Sequence, residues 1–182
     1  MKMLTYERML MPIVLGLVLL MSSITSADIS PAYKLGYGDV VSIRVYDEPD
    51  LTVEAQINDL GSIAYPFLGE LQILGLTVSE VQEKITTGLL DGYLVEPKVS
   101  VEVAKYRRFF VNGEVRQPGG FPFLPGMTIR KAISLAGGFT ARAAQNKIYI
   151  ISDGDTTRTP KRVSLNSSVQ PGDVITVRQR FF

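Results

Sequence analysis

The sequence predicts an α+β fold built as two small mixed domains, each with a short sheet and one main helix. Three observations carry that prediction. Stretches of period-two apolar alternation recur along the chain, as half-buried strands require. Two segments at helical spacing each open on Gly-x-Thr, at Gly75-Leu76-Thr77 and Gly126-Met127-Thr128. The links between elements are of hairpin length, which favours a mixed α+β arrangement over a doubly wound sheet.

The first segment is read separately from the fold. Lys2 and Arg8 form a short basic start, Met9 to Met21 runs without a charge, and Thr25-Ser26-Ala27 supplies small residues. That pattern is a secretory signal peptide, with cleavage expected after Ala27. A spanning helix needs roughly 20 apolar residues and this run is shorter; an uncleaved anchor is the alternative. The leader holds two of the 19 basic and one of the 18 acidic residues, so residues 28–182 carry a formal net charge of zero. A neutral exported chain offers no electrostatic footprint for nucleic acid. Lys105, Arg107 and Arg108 cluster, but beside a strand they read as a solvated edge.

The chain has no cysteine and no histidine. An exported protein without cysteine relies on its core rather than disulfides. Zinc sites and histidine-based triads are excluded on the same composition.

The expected elements follow in order. Gly36 and Gly38-Asp39 signal a turn, after which Val41, Ile43 and Val45 alternate with polar residues as a strand over 40–46. Asp47 to Asp50, with Pro49 inside, breaks it. Leu51 to Ile57 alternates again and closes at Asn58-Asp59-Leu60-Gly61. Ser62 to Leu68 is a further strand that Pro66 ends or places at an edge, and Gly69 to Ile73 is a short one. Thr77 is the expected N-cap of a helix, with Glu80 completing a capping box; Val78, Val81, Ile85 and Leu89 form its apolar stripe. Asp91-Gly92 ends the helix, and Val99, Val101 and Val103 mark the next strand.

The second half repeats this grammar. Phe109 to Val115 reads as a strand running into the turn Gln117-Pro118-Gly119-Gly120. Thr128 caps a second helix with Ile129, Ala132, Ile133 and Ala136 on its apolar face, and Gly137-Gly138 provides an αL end. Lys147 to Ile151 reads as a strand, Asp153-Gly154-Asp155 as a hairpin turn, and Val169 to Arg178 as the last strand. Two internal echoes accompany this: Gly75-Leu76-Thr77-Val78 with Gly126-Met127-Thr128-Ile129, and Gly38-Asp39-Val40-Val41 with Gly172-Asp173-Val174-Ile175. They fit two similar units, although both patterns also occur as ordinary punctuation.

No catalytic constellation emerges. The chain lacks a dinucleotide fingerprint, a phosphate-binding Gly-Lys-Ser/Thr loop and a Gly-x-Ser-x-Gly elbow. Asp47, Glu48 and Asp50 lack EF-hand spacing and read, like Asp153 and Asp155, as solvated turns. Nothing marks the paired carboxylates of a glycosidase. Tyr65, Phe67, Tyr93, Tyr106, Phe121 and Phe123 have the chemistry to stack on sugar rings, against the plainer reading of satellite core. No catalytic, cofactor-binding or metal-binding residue is expected, and no cofactor.

Several of these stretches together resemble a known family. Tyr33 to Tyr46 resembles the opening of the polysaccharide export domain of Wza-type proteins. Asp59 to Glu70 is similar to that domain's second hallmark, and Leu76 to Val81 and Tyr93 to Val99 to its helix and closing strand. Val111 to Val115, Pro118-Gly119, Thr128, Ala132-Ile133 and Ala136-Gly137-Gly138 resemble the soluble-ligand-binding β-grasp module that follows it.

The resemblance implies an export domain over 28–104, with a strand at 40–46 able to pack with the second domain, and a β-grasp-like domain over 105–182. It implies structural roles for Gly38, Asp39, Gly61, Pro66, Gly69, Thr77 and Pro97 in the first. In the second it implies them for Gly113, Pro118, Gly119, Thr128, Gly137 and Gly138. The implied role is that of a non-enzymatic periplasmic component of a capsule or exopolysaccharide export machine, peripheral to the outer membrane, working as an oligomeric ring or adaptor. The implied partners are the polysaccharide, an inner-membrane copolymerase and further copies of the chain. Wza-type translocons carry a lipidated cysteine, extra β-grasp repeats and a C-terminal helix that crosses the outer membrane. This sequence has no cysteine and stops at Phe182 directly after a strand, so a separate outer-membrane protein is expected as a further partner. A monomeric periplasmic oligosaccharide-binding protein is the rival reading, and a glycan-cleaving enzyme a third.

Overall fold

The computed structural model describes residues 33–180. The expected signal peptide, 1–27, lies outside the described residues.

The first alternating run forms strand β1 (Val40–Val45), with Val41, Ile43 and Val45 buried. The acidic stretch around Pro49 breaks it as a 3-10 turn, Pro49–Leu51. Strands β2 (Val53–Gln56), β3 (Ser62–Tyr65) and β4 (Gly69–Gln72) follow. The capping box then opens helix α1 (Val78–Leu90): the Glu80 backbone N–H donates to Thr77 Oγ1, and the Thr77 N–H donates to Glu80 Oε2 at 2.7 Å. Each bond satisfies a backbone donor that the first helical turn leaves unpaired. Val81, Ile85 and Leu89 on its stripe are buried. Strand β5 (Val99–Lys105) returns beside β1, which it joins antiparallel, while β2 flanks β1 on the other side. Both neighbours of β1 therefore come from the first half of the chain. β3 and β4 form a separate antiparallel hairpin.

The second half contains β6 (Phe109–Gly113), β7 (Gly119–Phe121), α2 (Ile129–Leu135), β8 (Ala143–Ile151), β9 (Lys161–Val163) and β10 (Val174–Gln179). They make one five-stranded sheet in the order β7-β6-β10-β8-β9, whose β6–β10 pair is parallel. Helix α2 covers it through Ile129, Ala132 and Ile133, which join Phe109, Val111, Ile148, Ile175 and Val177 in one core. A second core gathers Ile43, Ile63, Ile85, Leu89 and their neighbours in the first half. The architecture is α+β in two domains, as the periodicity predicts.

Several boundaries differ from expectation. Gly119 and Gly120 lie in strand β7 rather than a turn: Gly120 sits against the Phe110 ring, where a Cβ would come within 2.9 Å of it. A residue without a side chain is what lets β7 close on β6. Strand β8 starts at Ala143 because Ala143 and Ala144 are themselves buried. Its link to β9 is a long loop, held where Asp155 Oδ1 accepts from the Thr157 N–H and hydroxyl, instead of a tight hairpin. Strand β10 starts only at Val174, since the residues before it form the turn described below.

Gly113 ends β6 with φ +83°, and a Cβ there would stand 2.1 Å from the Val177 carbonyl oxygen. Backbone cannot yield as a flexible side chain can. Gly113→Ala should therefore cost at least the 1–3 kcal/mol, roughly, of a strained backbone position, read as a lowered denaturation midpoint with an unchanged denaturant slope.

Candidate functional site

The two Gly-Asp echoes build the same local structure twice. Gly38 and Gly172 take φ of +83° and +86°, a left-handed conformation that glycine enters without steric cost. The following aspartates turn inward and are buried. Each carboxylate reaches back three residues: Gly36 N–H donates to Asp39 Oδ2 at 2.8 Å, and Gln170 N–H donates to Asp173 Oδ2 at 2.7 Å. A short polar side chain thus closes the turn that feeds β1 in one domain and β10 in the other.

These turns meet the connection between β5 and β6. The Arg107 N–H donates to Asp39 Oδ1 at 2.7 Å, and Arg107 Nη1 donates to Asp39 Oδ2 at 2.9 Å. From the other turn, Gly172 N–H donates to the Arg108 carbonyl at 3.1 Å, and Phe110 N–H donates to the Asp173 carbonyl at 2.8 Å. Arg107 continues to Asp153, with Nε and Nη2 both 3.0 Å from Oδ2. Tyr33 completes the cluster: its hydroxyl donates to Asp39 Oδ2 at 2.5 Å and accepts from Arg107 Nη1 at 2.6 Å.

The Asp39 carboxylate therefore accepts four hydrogen bonds, from two backbone N–H groups, a phenol and a guanidinium. Three of these fall on Oδ2 and one on Oδ1, so both oxygens are partnered, and the Asp39 side chain is 0% exposed against 19% for Arg107. Among the described residues no buried side-chain nitrogen or oxygen lacks a partner. Two glycines make the close approach feasible. A Cβ on Gly36 would fall 2.2 Å from Arg107 Nη1, and one on Gly172 would fall 2.5 Å from the Asp153 carboxyl carbon.

Aromatic rings run beside the ionic contacts. Tyr33 meets Tyr106 edge-on at 5.1 Å, and Tyr106 meets Phe123 edge-on at 5.3 Å. Tyr33 packs on the first core and Phe123 belongs to the second, so the relay joins them. Burial, followed by the hydrogen bond to Asp39 and its charge, pushes the Tyr33 hydroxyl far above the ordinary tyrosine range, against the opposing pull of Arg107. Burial also raises the Asp173 carboxyl, over the lowering effect of its backbone donors.

The solvated-edge reading of Arg107 is thus corrected, while Asp153 stays in its turn at 50% side-chain exposure and adds an ion pair to Arg107. Both side chains are tied into the domain junction by partners distant in sequence.

Of the residues singled out by the resemblance, the junction contains Gly38 and Asp39. The others are dispersed. Gly61 makes the bend before β3, Pro66 ends β3 and Gly69 begins β4. Thr77 and Thr128 cap the two helices, and Pro97 precedes β5. Gly113 ends β6, and Pro118 and Gly119 lead into β7. Gly137 and Gly138 follow α2 with φ of +77° and +85°. The six aromatics divide as well: Tyr65 and Phe123 are buried and Tyr106 and Phe121 half-buried, while Phe67 and Tyr93 are exposed. The described residues contain no group of three acidic side chains placed to hold a metal ion.

Residues 27–104 match the family described as polysaccharide biosynthesis/export protein, and residues 108–160 match the SLBB domain. The chain belongs to the polysaccharide export family. It is 36% identical over 143 residues to exopolysaccharide production protein ExoF of Rhizobium meliloti (strain 1021), covering 68% of this chain and 33% of that protein. It is 28% identical over 196 residues to EPS I polysaccharide export outer membrane protein EpsA of Ralstonia nicotianae (strain ATCC BAA-1114 / GMI1000), covering 85% and 51%. The EpsA of Ralstonia solanacearum is 28% identical over 171 residues, at 79% and 45% coverage. The chain thus spans a third to about half the length of these curated relatives. The two matched stretches of this export-family chain stop on either side of Tyr106 and Arg107, the residues that clasp the junction.

Two predictions follow from the clasp. Removing one partner of a buried ion pair leaves the other charge buried alone, at about 3–5 kcal/mol; Arg107→Ala should lose about 3 kcal/mol and loosen the domains, read by chemical denaturation and small-angle scattering. Arg107→Lys should not restore the wild-type midpoint, because an ammonium lacks the forked geometry that reaches Asp39 and Asp153 together. The second concerns pH. The folded chain holds the Tyr33 proton above the ordinary pKa of 10.0, where the unfolded chain has released it. Stability is therefore full below about pH 10 and falls as pH rises beyond it. Tyr33→Phe should cost about 1 kcal/mol at neutral pH and flatten that alkaline decline, leaving the part due to Tyr65, which burial also raises.

Proposed function

We propose that this chain is a non-enzymatic periplasmic component of a capsule or exopolysaccharide export machine, serving as a ring segment or adaptor. The observation that supports this reading is the junction. A buried carboxylate paired with Arg107 and an aromatic relay tie two consecutive domains together at their connection, the kind of linked unit that a ring repeats. Strands β2, β5, β7 and β9 lie at sheet edges, where a neighbouring copy has backbone groups to pair with. Among the described residues no helix is long and apolar enough to cross a membrane. The chain's proposed partners are the polysaccharide, an inner-membrane copolymerase, a separate outer-membrane protein and further copies of the chain.

The expected outcome is an oligomer by size-exclusion chromatography with light scattering, alone or with the copolymerase. Deleting the gene should shift polysaccharide from the medium to the cell. A strict monomer at high concentration in both settings would remove the ring, and undiminished secretion from the deletion strain would remove the export role itself.

A further inference from the structure

Phe67 is a residue that the fold has no evident use for. It sits between β3 and β4 with φ +62°, a left-handed conformation unfavourable for a side chain of this size, and it remains 65% exposed. Its carbonyl is held by the Tyr93 hydroxyl, which donates to it at 3.2 Å, and the two rings lie 5.1 Å apart at 33°. Tyr93 is 49% exposed, so both rings keep a free face. The chain then runs from Tyr93 directly into the wall of an open cleft of about 270 Å³ between residues 46–48 and 94–98.

A third exposed ring, Tyr46, lines that cleft at 69% exposure, with Lys98 Nζ 6.0 Å from its centroid. The backbone beneath is firm, because the Tyr46 N–H donates to the Lys98 carbonyl at 3.0 Å and extends the β1–β5 ladder. Asp47, Glu48 and Glu96 share the cleft, and the described structure gives their carboxylates no ion pair or side-chain hydrogen bond.

We infer that Tyr46 and the Phe67–Tyr93 pair form a contact surface for the sugar rings of the exported polysaccharide; this rests on the export reading above. The chemistry selects that occupant. A pyranose has an apolar C–H face that lies on an aromatic ring and a rim of hydroxyls that donate to carboxylates and accept from an ammonium. The Tyr46 ring, with Lys98 beside it, and three carboxylates without an ion pair line this cleft, which is smaller than the roughly 300–1,000 Å³ that drug-sized ligands occupy, and Tyr93 of the ring pair directly precedes its Leu94 wall in the chain. A protein partner fits poorly, since the cores of protein interfaces are depleted of charged residues, and this cleft carries four.

The test is a calorimetric titration of the full chain with short oligosaccharides, released by partial hydrolysis from the exopolysaccharide of the producing cells. Wild type should bind, and Tyr46→Ala and Phe67→Ala should each weaken binding about tenfold, the upper end of a single aromatic contact. Phe67→Gly controls for folding: it relieves the left-handed backbone, so it should keep or raise the melting temperature while losing the same affinity. Absence of wild-type binding, or full affinity in the ring variants, overturns the inference. So does a change of oligomeric state on Phe67→Ala, which would assign the rings to a second copy. The export reading fails separately: it is overturned by normal secretion from the deletion strain, whereas a deletion defect fully repaired by the Tyr46→Ala, Phe67→Ala chain overturns only the contact surface.

Discussion

The Asp39 carboxylate organises everything around it. Burying a carboxylate costs several kcal/mol unless its oxygens regain the hydrogen bonds that water supplied. Here the four replacements come from Gly36, Tyr33 and, twice, Arg107. The turn before β1, the half-buried phenol and the start of the second domain must all be in place before the charge is compensated. Partial assembly leaves a buried anion short of donors, so the network favours one arrangement of the two domains and penalises intermediate ones. The sheets on either side inherit their relative placement from this requirement.

The same requirement dictates residues that look unrelated. Arg107 lies flat over Gly36 because no side chain there would leave room for the guanidinium, and Asp153 approaches Gly172 for the same reason. Gly38 and Gly172 supply the left-handed turn that directs each aspartate inward. The two turns then divide the work. The first receives the connecting segment through a side-chain carboxylate, the second through its backbone N–H and carbonyl. Asp173 needs no cation of its own because it closes its turn with the Gln170 N–H, and its burial favours the protonated form.

Local chemistry was legible in the sequence and long-range chemistry was not. The Thr77–Glu80 box, the apolar stripes of both helices and the alternation in β1 and β5 depend on residues within a few positions of one another, and each appears where the pattern places it. Arg107 depends on partners 68 and 46 residues away, so its neighbours Lys105 and Arg108 make it look like one more surface charge. The repeated Gly-Asp was the available signal: two copies of one turn, each preceding a strand, imply two similarly placed carboxylates. What the repetition alone does not reveal is that both turns grip the same segment. Strand β7 was hidden for a different reason, since Gly119-Gly120 carries turn chemistry and becomes a strand only because the Phe110 ring occupies the space beside it.

The contrast between the junction and the exposed rings bears on what an export component requires. A conduit must hold its own parts firmly while holding its cargo weakly, because a ligand that binds tightly at one point does not move on. The junction meets the first condition with a desolvated charge network, whose loss is severe. The proposed contact surface of Tyr46, Phe67 and Tyr93 would meet the second. Single exposed rings contribute about 0.5–1.5 kcal/mol per contact, and the open cleft beside them leaves its charged groups solvated until a hydroxyl arrives. Such contacts become effective through repetition. In the proposed assembly, a long polymer meeting the same weak site on several copies of the chain would be retained by their number and released from each in turn. Rigidity matters to that repetition, because copies whose two domains were free to swing would not hold equivalent sites at fixed spacing.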